Sequence, residues 1–148
     1  MNDTIDLFVK EIKEQIIEEL KEAYSEKIYK RMLNPLYRGV MDSPDAFARS
    51  TGGCGDTMEI YLRFENNRVK EALYQTDGCE SSNLCGSLAS EMAIGKDPDE
   101  LLAITGDAIF KEAEGLPDDD YHCATLASVT LQEALNNYMI KQRKYRQM

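Results

Sequence analysis

No apolar run in this chain approaches the roughly 18 residues that a membrane-spanning helix needs. The N-terminus, Met1-Asn2-Asp3-Thr4-Ile5-Asp6, lacks a basic region followed by an apolar stretch. No secretory signal is therefore expected, and the cytoplasm is the expected compartment. Positive charge is scarce: 17 Lys and Arg stand against 27 Asp and Glu, a net charge of −10, which argues against general nucleic-acid binding. Internal repeats and low-complexity linkers are missing, and 148 residues are normally one domain with a single core. Close Cys-x-x-Cys pairs of the zinc-ribbon kind are missing as well. The four cysteines are better read as ligands or reactive groups than as disulfides, because cytoplasmic thiols stay mostly reduced.

What is present is an ordinary globular composition, 43% hydrophobic and 30% charged, with its charge unevenly spread. From Asp97 to Asp120 nine acids face one base, whereas from Lys141 onward Lys141, Arg143, Lys144 and Arg146 meet no acid. These stretches read as solvated faces or as docking surfaces for partners of opposite charge.

Along the chain, Ile5, Phe8, Val9, Ile12, Ile16, Leu20 and Tyr24 fall on one helical stripe, so residues 4–32 read as one long helix or two abutting ones. Asn34-Pro35 ends it. The stripe packs on its own domain, or it serves as a dimerisation or partner helix. Residues 34–56 are rich in turn formers, with a short strand around Ala46–Ser50. Met58 to Phe64 alternates, Asn66-Asn67 turns, and Val69 to Gln75 returns as the second strand of a hairpin. Helices follow over Glu80–Ile94, Asp99–Ile104, Asp107–Glu114 and Cys123–Arg143, the last with Leu126, Val129, Thr130, Ala134 and Tyr138 near one face. Strands and helices are segregated. The expected class is α+β: a small three-stranded antiparallel sheet with helices packed on one side, plus an N-terminal helical extension.

Three cysteines stand in distinctive settings. Cys54 lies in the glycine-rich loop Gly53-Cys54-Gly55-Asp56, where small neighbours let a metal or another protein approach closely. Asp56 can point the same way. Cys79 follows Gly78 at the start of a helix, and Cys123 follows the single histidine, His122, at the start of another. A helix N-terminus stabilises a thiolate, the form that binds metal and attacks sulfur. Thiolates, an imidazole and a carboxylate suit iron, zinc or sulfur chemistry. Each signal taken singly is weak; their combination, order and separations carry the inference.

That combination resembles the IscU-type iron–sulfur cluster assembly scaffold, the module that also forms the N-terminal domain of NifU. The resemblance runs from about Tyr24 to Tyr138. It rests on Cys54-Gly55-Asp56-Thr57-Met58, Gly78-Cys79 with Gly95-Lys96 closing the helix, Leu116-Pro117, His122-Cys123 and Leu126-Ala127, with Tyr24-Ser25-Glu26-Lys27 and Asn34-Pro35 as the family's opening. It implies a scaffold domain over 24–148 preceded by an extension over 1–23. It implies a scaffold rather than a conventional enzyme: a transient [2Fe–2S] cluster assembled from iron and sulfur delivered by a cysteine desulfurase, then passed to apo iron–sulfur proteins, with iron from a separate donor. By motif, Cys54, Cys79 and Cys123 are ligands, His122 or Asp56 is available as the fourth, and Asp56 keeps the cluster labile. Zinc fits the same pocket.

Three features depart from the family. Asp118-Asp119-Asp120-Tyr121 replaces a Pro-Val-Lys-Ile segment, and the charge inversion at Asp120 argues against recognition by the usual Hsp70-type chaperone. Cys85 stands where serine is usual; it reads as a small buried residue or as an auxiliary thiol, a sulfur store or relay. The extension over 1–23 packs on the domain or makes a homodimer. Two other functions use the same residues. One is a zinc-bound persulfide acceptor that activates a desulfurase without holding a cluster. The other is a thiol enzyme with Cys123 or Cys79 as nucleophile, for which His122 looks badly placed, since adjacent helical residues point about 100° apart.

Overall fold

A computed structural model describes residues 2–147; Met1 and Met148, the outer ends of the two expected segments, lie outside the described residues. Three strands, β1 (Ala46–Thr51), β2 (Thr57–Glu65) and β3 (Arg68–Thr76), form an antiparallel sheet in the order β1-β2-β3. The period-two pattern decides which face is buried. Ala48, Ile60 and Tyr74 stand in one row across the sheet and Ala46, Leu62 and Ala72 in the next, and all six are buried. The opposite face carries Phe47 and Tyr61, with ring centroids 5.0 Å apart, and the Arg49–Glu59 ion pair. Asn66 and Asn67 both take positive φ, 53° and 62°, as a two-residue hairpin with the twist of its strands requires.

Helices cover the buried face, as expected for the α+β class. The chain opens with α1 (Asn2–Ala23) and α2 (Glu26–Leu33). After the sheet come α3 (Glu80–Ala93), α4 (Pro98–Leu101), α5 (Gly106–Glu112), a single 3-10 turn (Asp118–Asp120) and α6 (Tyr121–Gln147). α6 lies across β1 and β2, and α3 lies against β3. α3 approaches closely because Gly86 has no side chain: a Cβ there would sit 2.5 Å from the Tyr74 ring. Near the far end of α6, Tyr138 stacks on Phe64 with centroids 3.7 Å apart. The free edge of β3 is covered by residues 37–39, through Gly39 N–H to Tyr74 O and Tyr74 N–H to Tyr37 O, both 2.9 Å; this blunts an edge open to pairing.

The opening helical stretch is two abutting helices, one of the two expected forms, parted at Tyr24-Ser25. Other features differ from the sequence expectations. The apolar stripe of α1 does not pack on the domain over most of its length: Ile5, Phe8, Val9, Ile12 and Ile16 are exposed, and Leu20 is the first residue of the stripe to be buried. The helix expected over Asp99–Ile104 is the short α4, capped by a reciprocal Asp97–Glu100 box and ended because Thr105 caps α5 immediately afterwards. α6 begins earlier, at Tyr121, and runs further. Its buried face is Leu126, Ala127, Thr130, Leu131, Ala134, Leu135 and Tyr138, whereas Val129 is exposed.

Candidate metal centre

Three chain segments meet at one end of the sheet: the β1–β2 loop, the β3–α3 junction and the first turn of α6. The β1–β2 loop is a tight five-residue connection closed by Gly52 N–H to Asp56 O, 2.8 Å, and Gly55 N–H to Gly52 O, 3.0 Å. Gly55 takes φ +90°, a conformation glycine adopts without strain. The β3–α3 junction is pinned to β2. Thr57 N–H donates to Asp77 Oδ1, 2.8 Å, and Thr76 Oγ1 donates to Thr57 O, 2.7 Å, while accepting from Gly78 N–H, 3.1 Å. This places Cys79 as the N-cap of α3.

Asp56, Cys79 and Cys123 converge there, each offering one donor atom with all three within 4.8 Å of one another. Ser82 lies among them. Its Oγ is 3.0 Å from Asp56 Oδ2, 3.4 Å from Cys123 Sγ and 3.9 Å from Cys79 Sγ. His122 is turned by its neighbours on the 3-10 turn. Its Nδ1 lies 2.9 Å from Asp119 O, and a carbonyl can only accept, so Nδ1 carries the proton. Nε2 then presents a lone pair 3.6 Å from Cys123 Sγ, the tautomer in which histidine binds metal. Asp120 accepts from Ser81 Oγ, 2.9 Å, which brings a third acidic or thiol-bearing segment against α3.

The expected residues are therefore not gathered equally. Cys79, Cys123 and Asp56 come together, and His122 stands beside Cys123. Cys54 sits exposed at the loop tip, outside the group of three; it is Asp56, rather than Cys54, that faces the other two. Cys85 is fully buried among core residues, and burial raises its thiol far above the ordinary range, leaving a neutral side chain. The expectation that the helix field would favour the Cys123 thiolate is overturned. Burial, first, pushes that thiol up to about 11; the Ser82 hydrogen bond pulls the other way, and the negative charges of Cys79 and Asp120 add to the rise. Burial in an apolar setting outweighs the dipole of one helix end. The expectation that His122 is badly placed relative to Cys123 is also corrected, since its Nε2 lies 3.6 Å from Cys123 Sγ.

Sequence reasoning missed Ser82 and the role of Gly78. Four serines lie on α3, at 81, 82, 87 and 90, all buried, and composition does not single one out; the position one turn beyond Cys79 is the one available signal. A Cβ on Gly78 would lie 2.7 Å from both Asp56 Oδ2 and Ser82 Oγ, so the glycine is what lets these two groups meet.

Two thiols, a carboxylate and an available imidazole form a donor set suited to iron or zinc. All four cysteines are free, and no helix of the described residues is long and apolar enough to cross a membrane.

Residues 23–145 match the sequence pattern of the family described as NifU-like N terminal domain. The chain is 39% identical over 124 residues to the iron–sulfur cluster assembly scaffold protein IscU 1 of Archaeoglobus fulgidus, covering 82% of this chain and 80% of that one. It is 33% identical over 124 residues to the scaffold protein IscU of Escherichia coli, covering 80% and 96%. Among solved structures, the N-terminal NifU-like protein from Brucella abortus superimposes with a TM-score of 0.62 at 22% identity, over 82% of this chain and 98% of that one.

Proposed function

Because this chain belongs to the NifU-like N-terminal domain family, we propose that it is a scaffold on which iron–sulfur clusters are assembled and from which they are handed to other proteins. The observation that carries this is the convergence of Asp56, Cys79 and Cys123 within 4.8 Å at the meeting point of three separate chain segments. The cluster, a [2Fe–2S] centre, is cargo. Cys79 and Cys123 are its thiolate ligands, joined by Cys54, whose glycine neighbours leave the loop tip room to turn inward. His122 Nε2 or Asp56 is the remaining donor. A hard carboxylate binds iron less firmly than a further thiolate would, which suits a site that must release what it holds. Zinc is a competitor for the same donors.

The chain's own part is to bind and to hold protons back. In the metal-free protein Cys123 is a protonated thiol, so loading releases a proton. Sulfane sulfur arrives on a cysteine from a cysteine desulfurase. It becomes sulfide by taking electrons from iron that is oxidised to the ferric state and from an electron donor. Iron comes from a separate donor, and apo iron–sulfur proteins take the product. No step requires conventional enzymatic turnover, and the cytoplasm, where the four free thiols stay reduced, is the fitting compartment. Residues 24–148 are the scaffold domain and residues 1–23 an appended segment that carries α1. The acidic Asp118-Asp119-Asp120 segment argues against the usual chaperone contact.

Anaerobic reconstitution with ferrous iron, cysteine and a catalytic amount of desulfurase tests this. Visible bands of a [2Fe–2S] centre with matching iron and sulfide are expected. Zinc retained, with persulfide on a cysteine and no cluster, would replace the reading with that of a sulfur acceptor.

A further inference from the structure

Ser82 is fully buried, and its hydroxyl touches all three members of the donor group, at 3.0 Å from Asp56 Oδ2, 3.4 Å from Cys123 Sγ and 3.9 Å from Cys79 Sγ. A hydroxyl has one proton to give. Asp56 is both the nearer acceptor and the better one, since an ionised oxygen takes a stronger hydrogen bond than sulfur does. Asp56 ends a loop in which Gly53 and Gly55 have open space around them, and a partly buried carboxylate with no partner gains by turning to water. The tie to Ser82 opposes that turn. It engages Oδ2, and a carboxylate has acceptor sites to spare for a ligand. On the remaining side Gly78 closes the arrangement, because a Cβ there would press to 2.7 Å on both Asp56 Oδ2 and Ser82 Oγ.

We infer that Ser82 is the positioning residue that holds the Asp56 carboxylate in the donor group beside Cys79 and Cys123, and that residue 78 is glycine because the Ser82–Asp56 pair occupies the space of a side chain. This rests on the reading of Asp56, Cys79 and Cys123 as a metal-holding site. Ser82 then acts on affinity and on lifetime through Asp56, as groups behind a metal ligand commonly do.

The test is anaerobic titration of the full chain with cobalt(II), read by its thiolate charge-transfer and d–d bands, in wild type, Ser82→Ala, Asp56→Ala and the double variant. Ser82→Ala weakens cobalt binding by about 10–100-fold in the wild-type background and by less than about threefold when Asp56 is already alanine, because coupled residues do not add. Equal weakening in both backgrounds would mean that Ser82 serves the thiols or the fold, and would overturn the inference, as would wild-type affinity in Ser82→Ala. Thermal unfolding of the metal-free variants separates a folding defect from a site defect. Should Ser82→Ala fail to fold, Gly78→Ala crowds the same pair and is expected to weaken cobalt binding; unchanged affinity there overturns the inference. Absence of any thiolate–cobalt band in the wild type would remove the metal reading itself. A normal band with full affinity in Asp56→Ala would remove the Ser82 inference alone.

Discussion

His122 turns its Nε2 back to 3.6 Å from the Sγ of Cys123, the residue that follows it in the chain. The Asp119 carbonyl holds the opposite ring nitrogen, so the imidazole is fixed with its lone pair toward the sulfur. One turn of 3-10 helix thus decides the tautomer and the aim of the single histidine, and sets its ring against Cys123, beside the group of Asp56, Cys79 and Cys123.

Asp56→Ala should make a reconstituted cluster more persistent, by about threefold or more, because a weak oxygen donor that competes with the His122 imidazole for the fourth position on iron is lost. Decay of the visible absorbance under a chelator, measured anaerobically, checks this. Equal or faster decay would contradict the labilising role of Asp56.

Single changes of Cys54, Cys79 and Cys123 to serine should each abolish stable cluster binding, whereas Cys85→Ser should keep it. Cys85 is buried in the core and is not one of the three converging donors, so its replacement costs about 1 kcal/mol through a hydroxyl placed in an apolar setting. Iron and sulfide counts after desalting are the measurement. Loss of the cluster in Cys85→Ser would overturn this ligand set.

Gly86→Ala should destabilise the fold. The added methyl meets the Tyr74 ring at 2.5 Å, and overpacking of about 1–3 kcal/mol outweighs the roughly 1 kcal/mol that alanine gains in a helix. Gly53→Ala, with nothing within 4 Å, is the control and should unfold like the wild type in a urea titration.

Alkaline pH should expose the buried phenol of Tyr74. Burial pushes it up to about 12, above the roughly 10 of an unfolded tyrosine. Between these values the folded state keeps a proton that the unfolded state has lost. Its contribution is complete below about pH 10 and disappears as pH rises toward about 12. Tyr74→Phe should therefore lose less stability than the wild type between about pH 10 and 12. At neutral pH it should be weaker by about 1 kcal/mol, through loss of the bond to Asn83 Oδ1 at 3.1 Å. Urea midpoints at both pH values decide this; parallel losses in the two proteins would count against it.

Much of this molecule is written in local pattern. Alternation marks β2 and β3 because a strand turns every second side chain to the core. Asn66-Asn67 marks the hairpin because both positions need positive φ, and the cysteines with their glycine, aspartate and histidine neighbours mark the site because so few residue types bind iron. What pattern could not reach are relations between segments distant in sequence. The stripe on α1 has the period of a packed helix, yet period says nothing of whether a partner surface exists, and it reaches one at its end, where Leu20 is buried and Tyr24 packs on the core. Val129 has helical spacing with its neighbours, but the direction of the sheet beneath α6 leaves it outside. The Cys123 thiol sits at a helix start that by itself favours a thiolate, and it is the wall of core around it, contributed by other elements, that raises it instead. Ser82 is one serine among four on its helix until β3 and the β1–β2 loop bring Asp56 within 3.0 Å of it. Sequence by itself determined the kinds of donor and the elements that carry them, since both depend on neighbours along the chain. Tertiary structure alone decided which donors meet, which thiol is buried and which hydroxyl holds the carboxylate, because those depend on distances between residues that the chain keeps far apart.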